Sequence, residues 1–151
     1  MSATQTMDRE GIAARIPHSG TMCLLERLES WDTEAIHCST TSHLRADNPL
    51  RTAGGLMAPN AIEYAAQAMA LHGGLLAVEG EPPSAGFLAS ARNVRFGVDR
   101  LDAVQGALQV RARRLSGDVR QVLYEFSVTA ADGTAVADGR AVVVLNTPLP
   151  T

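Results

Sequence analysis

Pro59-Asn60-Ala61-Ile62-Glu63-Tyr64-Ala65-Ala66-Gln67-Ala68-Met69-Ala70-Leu71-His72-Gly73-Gly74-Leu75-Leu76-Ala77-Val78 is the stretch that decides the fold. It is apolar on nearly every face. Proline opens it, at the one place where a helix has no use for the missing N–H. A helix that is apolar on most faces is a buried helix. The small residues Ala65, Ala66, Ala68, Ala70, Gly73 and Gly74 let a surrounding sheet approach its backbone. Each glycine weakens a helix interior by about 1 kcal/mol relative to alanine, a loss that close contact would offset. The spacing predicts one long buried helix from Pro59 to about Val78.

On either side of this helix the chain reads as strands. Upstream, Met22 to Trp31 and Glu34 to Ser42 are expected strands, with a turn near Thr33 and Glu34. Before them come a loose tail, residues 1–6, and one or two helical turns over Asp8 to Ile16. The helical pattern breaks at Ile16-Pro17-His18-Ser19-Gly20, because proline and glycine punctuate chains. Between strand and helix lies an irregular stretch, Leu44 to Met57, with turn-forming pairs at Asn48-Pro49 and Gly54-Gly55. Ordered loops of this length are often functional. Downstream of Pro82-Pro83, strands are expected over Phe87–Phe96, Ala107–Leu115, Val119–Ala130 and Thr134–Leu145. A turn at Ser116-Gly117-Asp118 and a hairpin at Asp132-Gly133 separate the last three. Two strands, one helix and about four strands indicate an α+β protein. A long antiparallel sheet wrapped around one apolar helix is the hotdog architecture, here expected as a single domain over residues 1–151.

Composition bounds the function. The chain has 151 residues, 46% of them apolar, and can bury a core without disulfide or metal staples. The net charge of −3 gives no argument for nucleic acid. All 13 basic side chains are arginine. Genome base composition accounts for that, and so would recognition of phosphate or carboxylate by guanidinium forks. Cys23 and Cys38 form neither a disulfide framework nor a metal pattern. The opening residues do not read as a signal peptide, and no apolar run is long enough to span a bilayer. A reduced, cytoplasmic protein is the expectation.

Glu63 is the most informative candidate for chemistry. A carboxyl among apolar neighbours has its charged form disfavoured, which suits general acid or base work near neutral pH. The plainer role is to complement the positive helix end. Gln67 lies one turn on, on the same face. Free N–H groups at the helix start, behind Gly54 and Gly55, can polarise a carbonyl oxygen. His43 ends a strand just before the long loop and can serve as a base if it enters a site beside the helix. His18, His37 and His72 read as turn, strand and packing residues. No spacing suits a metal, and no nucleophile elbow, phosphate loop or dinucleotide fingerprint is present.

Three segments together resemble the 3-hydroxyacyl-carrier-protein dehydratases. Ile16-Pro17-His18-Ser19-Gly20-Thr21-Met22-Cys23-Leu24-Leu25-Glu26-Arg27-Leu28 is similar to their Leu-Pro-His-Arg-x-Pro-hydrophobic-Leu-Leu-x-Asp-Arg-Val opening. Glu63-Tyr64-Ala65-Ala66-Gln67-Ala68 is similar to the Glu-Ala-x-Ala-Gln run of their central helix. Phe87 to Phe96 is similar to the strand ending in Arg-Phe or Lys-Phe beside the acyl tunnel. The stretch from Asn48-Pro49-Leu50-Arg51 to His72 looks closest to the dehydratase-like proteins of aryl-polyene clusters.

The resemblance implies that two subunits pair their sheets edge to edge. A histidine from one subunit would remove the α-proton of a 3-hydroxyacyl thioester, and an acid from the other would assist departure of the hydroxyl. Glu63 matches the acid. Tyr64 and its neighbours, Pro49, Pro59 and Gln67 among them, would line the acyl site. Backbone amides near Ala89-Ser90 or the helix start would hold the thioester carbonyl. The family's Gly-His-Phe-Pro-Gly loop corresponds to Arg45-Ala46-Asp47-Asn48-Pro49-Leu50, which lacks the histidine. Asn48 can orient water or substrate but cannot accept a proton, so His43 would have to substitute.

A thioesterase of the same fold is the alternative, with Glu63 or Asp47 activating water. A catalytically impaired subunit that pairs with an active homologue is another. The partners expected are an acyl carrier protein or coenzyme A thioester and a second hotdog subunit, as homodimer or higher oligomer. No cofactor is expected beyond the phosphopantetheine arm of the substrate. Arg92, Arg95, Arg111 and Arg113 are the candidate carrier-docking residues, with a solvated sheet face as the plainer alternative. Arg111 and Arg113 share a face because they are two apart on a strand.

Overall fold

Alternation along the strands sets the sheet. In β3 (Ala35–Thr40) Ile36, Cys38 and Thr40 are buried while the residues between them are half-exposed. The same period of two marks β6 (Gln121–Thr129), where Val122, Tyr124, Phe126 and Val128 face inward. With β1 (Met7–Asp8), β2 (Arg27–Trp31), β4 (Phe87–Phe96), β5 (Leu108–Gly117) and β7 (Ala135–Val144) they form one antiparallel sheet of order β1-β2-β3-β5-β6-β7-β4. The computed structural model describes residues 6–16, 20–76, 87–118 and 120–144, with the backbone alone at Phe87. The expectations for His18 and the Pro82-Pro83 break lie outside the described residues.

The helix α2 (Ala61–Leu76) lies on the buried face and touches β3, β4, β5, β6 and β7. Ala65 and Ala68 are fully buried on the face that meets the sheet. Larger side chains there would overpack the core, at about 1–3 kcal/mol each. This is the α+β hotdog architecture that the element order predicts. One stripe of α2, Glu63, Ala66, Ala70 and Gly73, is only half-buried. The chain's own sheet leaves that stripe open.

Two expectations change. The helix does not open directly at Pro59; a 3-10 turn, Ala58–Asn60, leads into it. Residues 22–31 are not one strand. Gly20–Met22 is a 3-10 turn and strand pairing begins at Arg27. Cys23, Leu24 and Leu25 are all buried in succession, so no face alternates. The Leu24 amide and the Cys23 and Leu24 carbonyls bond to side chains instead of a neighbouring strand. Upstream, the helix expected over Asp8 to Ile16 is α1 (Arg9–Ala13), capped by Asp8, whose Oδ1 accepts from the Gly11 amide at 3.1 Å.

Candidate active site

The opening segment, the end of β3, the long loop and α2 meet in a buried polar network. The Leu24 carbonyl accepts from Thr40 Oγ1 at 2.6 Å and from Ser42 Oγ at 2.7 Å. With its proton committed there, Ser42 Oγ accepts from the Tyr64 hydroxyl at 2.9 Å. Asn48 Nδ2 donates to Tyr64 at 3.0 Å and to the Ser42 carbonyl at 2.9 Å, and its Oδ1 accepts from the Leu50 amide at 2.9 Å. Gln67 Oε1 accepts from the Leu24 amide at 2.9 Å, while its Nε2 donates to the Met22 carbonyl at 2.7 Å. Every hydroxyl and amide in the network has a partner, as buried polar groups require. Burial pushes the Tyr64 hydroxyl above its ordinary pKa, against the pull of Ser42 and Asn48.

A cleft of about 240 Å³ opens over this network, between Thr21, Cys23, Glu26, Ser42, Asp47 and Asn48. Pro49 and Arg45 stand at the loop side. Asp47 takes two bonds from Arg45, at 2.8 and 3.0 Å, and that guanidinium holds its carboxyl below the usual range. Glu26 accepts from the Thr41 amide and, at 2.7 Å, from the Thr41 hydroxyl. The mouth is charged and the floor is neutral.

Glu63 stands on the half-buried stripe of α2, one residue from Tyr64 but on the side the sheet leaves open. Gln67, one turn on, is fully buried and staples the opening segment, so it does not line an acyl site. The stripe from Glu63 to Gly73 runs about 15 Å along the helix. A Cβ added to Gly73 would meet nothing within 4 Å.

His43 does not enter the cleft. Its ring is fully buried, and its Nε2–H donates to the Val104 carbonyl at 3.0 Å. Nδ1 is buried without a partner, and desolvation lowers the pKa of the ring. Gly55 has a structural task in the loop. It has φ +106°, exchanges backbone bonds with Thr52, and would place a Cβ 2.7 Å from Asp102 Oδ2. Asp102 fastens that loop by accepting from the Leu56 amide at 3.1 Å, and Arg100 holds its carboxyl far below the usual range. At the helix start the 3-10 turn already uses the amides of Asn60 and Ala61. On β4, a register shift between Leu88 and Ser90 leaves Ala89 without a partner in β7.

The arginines gather on the outer face, away from α2. His37, Arg111, Ser127, Asp138 and Arg95 form one row across five strands. Arg113, Glu125, Arg140 and Arg92 form part of the next. All of these except Arg92 border a concavity of about 1260 Å³ that also includes Trp31. Among the described residues, no group of three or more histidine, cysteine, aspartate or glutamate side chains is placed to hold a metal ion.

The family described as ApeP dehydratase, ApeP-like, matches residues 10–149. The chain belongs to the ApeP-like dehydratase family. A solved structure described as the dehydratase heterocomplex ApeI:P from Xenorhabdus doucetiae is 28% identical, with a TM-score of 0.80 over 91% of both chains. A thioesterase from Haemophilus influenzae aligns over 99% of this chain and 98% of its own at 14% identity and a TM-score of 0.66. A thioesterase from Pseudomonas aeruginosa aligns over 93% and 95% at 16% identity and 0.62. The last two share the fold. No curated protein matches the sequence.

For an ApeP-like chain the loop histidine's absence now has a structural counterpart. Asn48 is locked into the scaffold through both halves of its amide, and Ser42 and Thr40 complete the lock. Sequence reasoning missed these two hydroxyl residues, although Thr40 carried a signal as a polar residue in the inward phase of β3. Arg140 was missed as well, because only the strand register places it beside Arg92 and, across Glu125, in the row of Arg113. Among the described residues, no helix is long and apolar enough to cross a membrane.

Proposed function

We propose that this chain is the acid-bearing subunit of a 3-hydroxyacyl-thioester dehydratase, working on a carrier-bound acyl chain in lipid or polyene synthesis. A base takes the α-proton, the electron pair becomes the C=C bond, and the C–O bond breaks. The departing hydroxyl takes the proton of Glu63 and leaves as water. The base then returns its proton through solvent to the Glu63 carboxylate. The observation that carries this reading is the commitment of every described histidine. His43 is tied to Val104, His72 lies between Tyr124 and Asp32, and His37 is on the outer face bonded to Gln109 at 2.6 Å. We therefore assign the base to a second hotdog subunit paired along β4. The heterocomplex described for the Xenorhabdus doucetiae relative supports that arrangement. Two buried free thiols suit a reducing, cytoplasmic setting.

Arg111 and Arg113, with Arg92 and Arg95, offer an acidic carrier protein a cationic landing face. Charge reversal at Arg111 and Arg113 is expected to weaken carrier binding about tenfold or more at low salt. Unchanged binding removes that part of the reading.

The test is turnover of a 3-hydroxyacyl carrier thioester by this chain alone and by this chain mixed with a histidine-bearing hotdog subunit. Enoyl absorbance from the mixture, and its loss by about a hundredfold or more in Glu63→Gln, is the expected result. Free thiol in place of enoyl product would mean a thioesterase. Full activity of Glu63→Gln would refute the role of the acid.

A further inference from the structure

β4 is the open edge of the sheet. It hydrogen-bonds to β7 on one side, and no strand among the described residues covers the other. Its sequence, Phe-Leu-Ala-Ser-Ala-Arg-Asn-Val-Arg-Phe, carries two arginines and no acid. Residues three apart on a regular strand point to opposite faces. Here they do not. Arg92 stands opposite Arg140 and Arg95 opposite Asp138, so β4 spends one more residue than β7 over that interval. Asn93 takes up the extra residue with φ +54°, a conformation asparagine tolerates better than most. Val94 turns inward over Gly139, where an added Cβ would lie 2.9 Å from Val94 Cγ2 and 3.1 Å from Phe126 Cζ. The bulge thus brings Arg92 and Arg95 out on one face, next to Arg140.

Among the described residues, only Asp138 answers this charge directly, through Arg95 at 3.5 Å with both groups exposed. Glu125, the other neighbour of Arg140, is shared with Arg113 at 3.9 Å. Among the described residues, β4 and the facing part of β7 therefore carry three guanidiniums against one carboxylate not shared with another arginine.

We propose that this edge selects its partner by charge, disfavouring a second copy of this chain and accepting a different hotdog subunit whose pairing strand bears carboxylates. The inference rests on the edge pairing proposed above. A two-fold axis through an extended sheet keeps the outer faces together. In a self-pair that overlaps most of β4, the Arg92 side chains of the two copies then share one face. Where the two-fold falls within one residue of Arg92, they stand directly opposite or one diagonal step apart, about 5–8 Å between Cβ atoms. Four arginines and no acid would line that ribbon, and like charges facing across strands destabilise it. An acidic edge strand turns the same four positions into ion pairs.

The experiment compares self-association of the wild-type chain, Arg92→Gln/Arg95→Gln and Arg92→Glu/Arg95→Glu, and of an equimolar mixture of wild type with the Glu variant. Sedimentation reads all four at about 0.05 M and about 0.5 M salt, where the screening length falls severalfold. At low salt the Gln variant is expected to self-pair about tenfold more tightly than wild type, the sum of several small like-charge terms. The mixture is expected to pair about tenfold more tightly than either of its components, and the differences should collapse at high salt. A thermal melt checks each variant. If the Glu variant fails to fold, the comparison of wild type with the Gln variant still decides. Equal self-association of wild type and Gln variant at low salt, or a mixture no tighter than its components, overturns charge selection and leaves edge pairing standing. Absence of pairing in every arm at both salts overturns both.

Discussion

Two tyrosine hydroxyls pin α2 to the rest of the protein, one near each end, and they are built from different chemistry. At the Glu63 end, Tyr64 joins Ser42 and Asn48 in a network of neutral groups. At the far end, Tyr124 of β6 meets His72. The Nε2–H of His72 donates to the Asp32 carbonyl at 2.7 Å, which leaves Nδ1 to accept from the Tyr124 hydroxyl, also at 2.7 Å. The rings meet edge to face, with centroids 5.7 Å apart. The contact requires a neutral imidazole. A proton on Nδ1 would reverse the bond to Tyr124 and strand its hydroxyl hydrogen in the core. The candidate site is held by a lock that does not titrate, and the opposite end by one that does.

The largest effect is expected from breaking the first lock. Gln67→Ala leaves the buried Leu24 N–H and the part-buried Met22 C=O without their partner and removes a buried side chain. The buried amide at about 1–3 kcal/mol and the part-buried carbonyl at about 1 kcal/mol predict a loss of about 2–4 kcal/mol. Chemical denaturation measures it, and the loss should be similar at pH 8 and pH 6 because nothing in the network ionises there. A strongly pH-dependent loss would mean that the lock is not neutral.

The second lock is expected to show itself as acid sensitivity. Desolvation, with the nearby charge of Arg114, lowers the pKa of His72, against the opposing pull of Asp32. Desolvation lowers that of His43 too. The unfolded chain takes up a proton at each near the ordinary histidine value of about 6.5, and the folded chain only below it. Stability that is full above that value is therefore lost as the pH falls below it, by up to about 1.4 kcal/mol per pH unit for each histidine. Asp32, Asp118 and Asp132, whose carboxyls sit below their ordinary value because they accept hydrogen bonds, act only at still lower pH. His72→Gln should roughly halve the slope between pH 6.5 and 5, leaving the share of His43. An unchanged slope would show that the Tyr124 contact does not depend on a neutral ring.

Much of this architecture is legible in the sequence where one element decides its own pattern. α2 is readable from its apolar faces, and β4 from its flanking breaks. What is not legible depends on partners far along the chain. Leu24 looks like part of a strand until Gln67, 43 residues away, takes its amide. Gly55 looks like a substrate-facing glycine until Asp102 fills the space beside it. His43 sits at a strand end, as a base would, but its ring faces Val104. Arg92 and Arg95, three apart, should diverge, and only the bulge at Asn93 aligns them. Each failure comes from a tertiary contact that overrides a local rule.

The smallest effect separates two adjacent glycines that local propensity treats alike. Each should weaken α2 by about 1 kcal/mol relative to alanine. Gly74 has a compensating contact, since an added Cβ would sit 3.2 Å from the Arg15 carbonyl oxygen, so the α1 end packs directly on the helix backbone there. Gly73 has none within the described chain, and it lies on the half-buried stripe that runs up from Glu63. Gly73→Ala is therefore expected to stabilise the isolated chain by about 0.5–1 kcal/mol. Gly74→Ala should give no gain, or a loss, because backbone would have to shift. The pair separates propensity from packing within one helical turn. If the two alanine variants melt at the same temperature, α1 yields freely and the contact at Gly74 is not what holds that end of the helix. If Gly73→Ala stabilises the chain but lowers turnover of the paired enzyme, the space beside it is in use by substrate or by the second subunit, and the open stripe is a working surface.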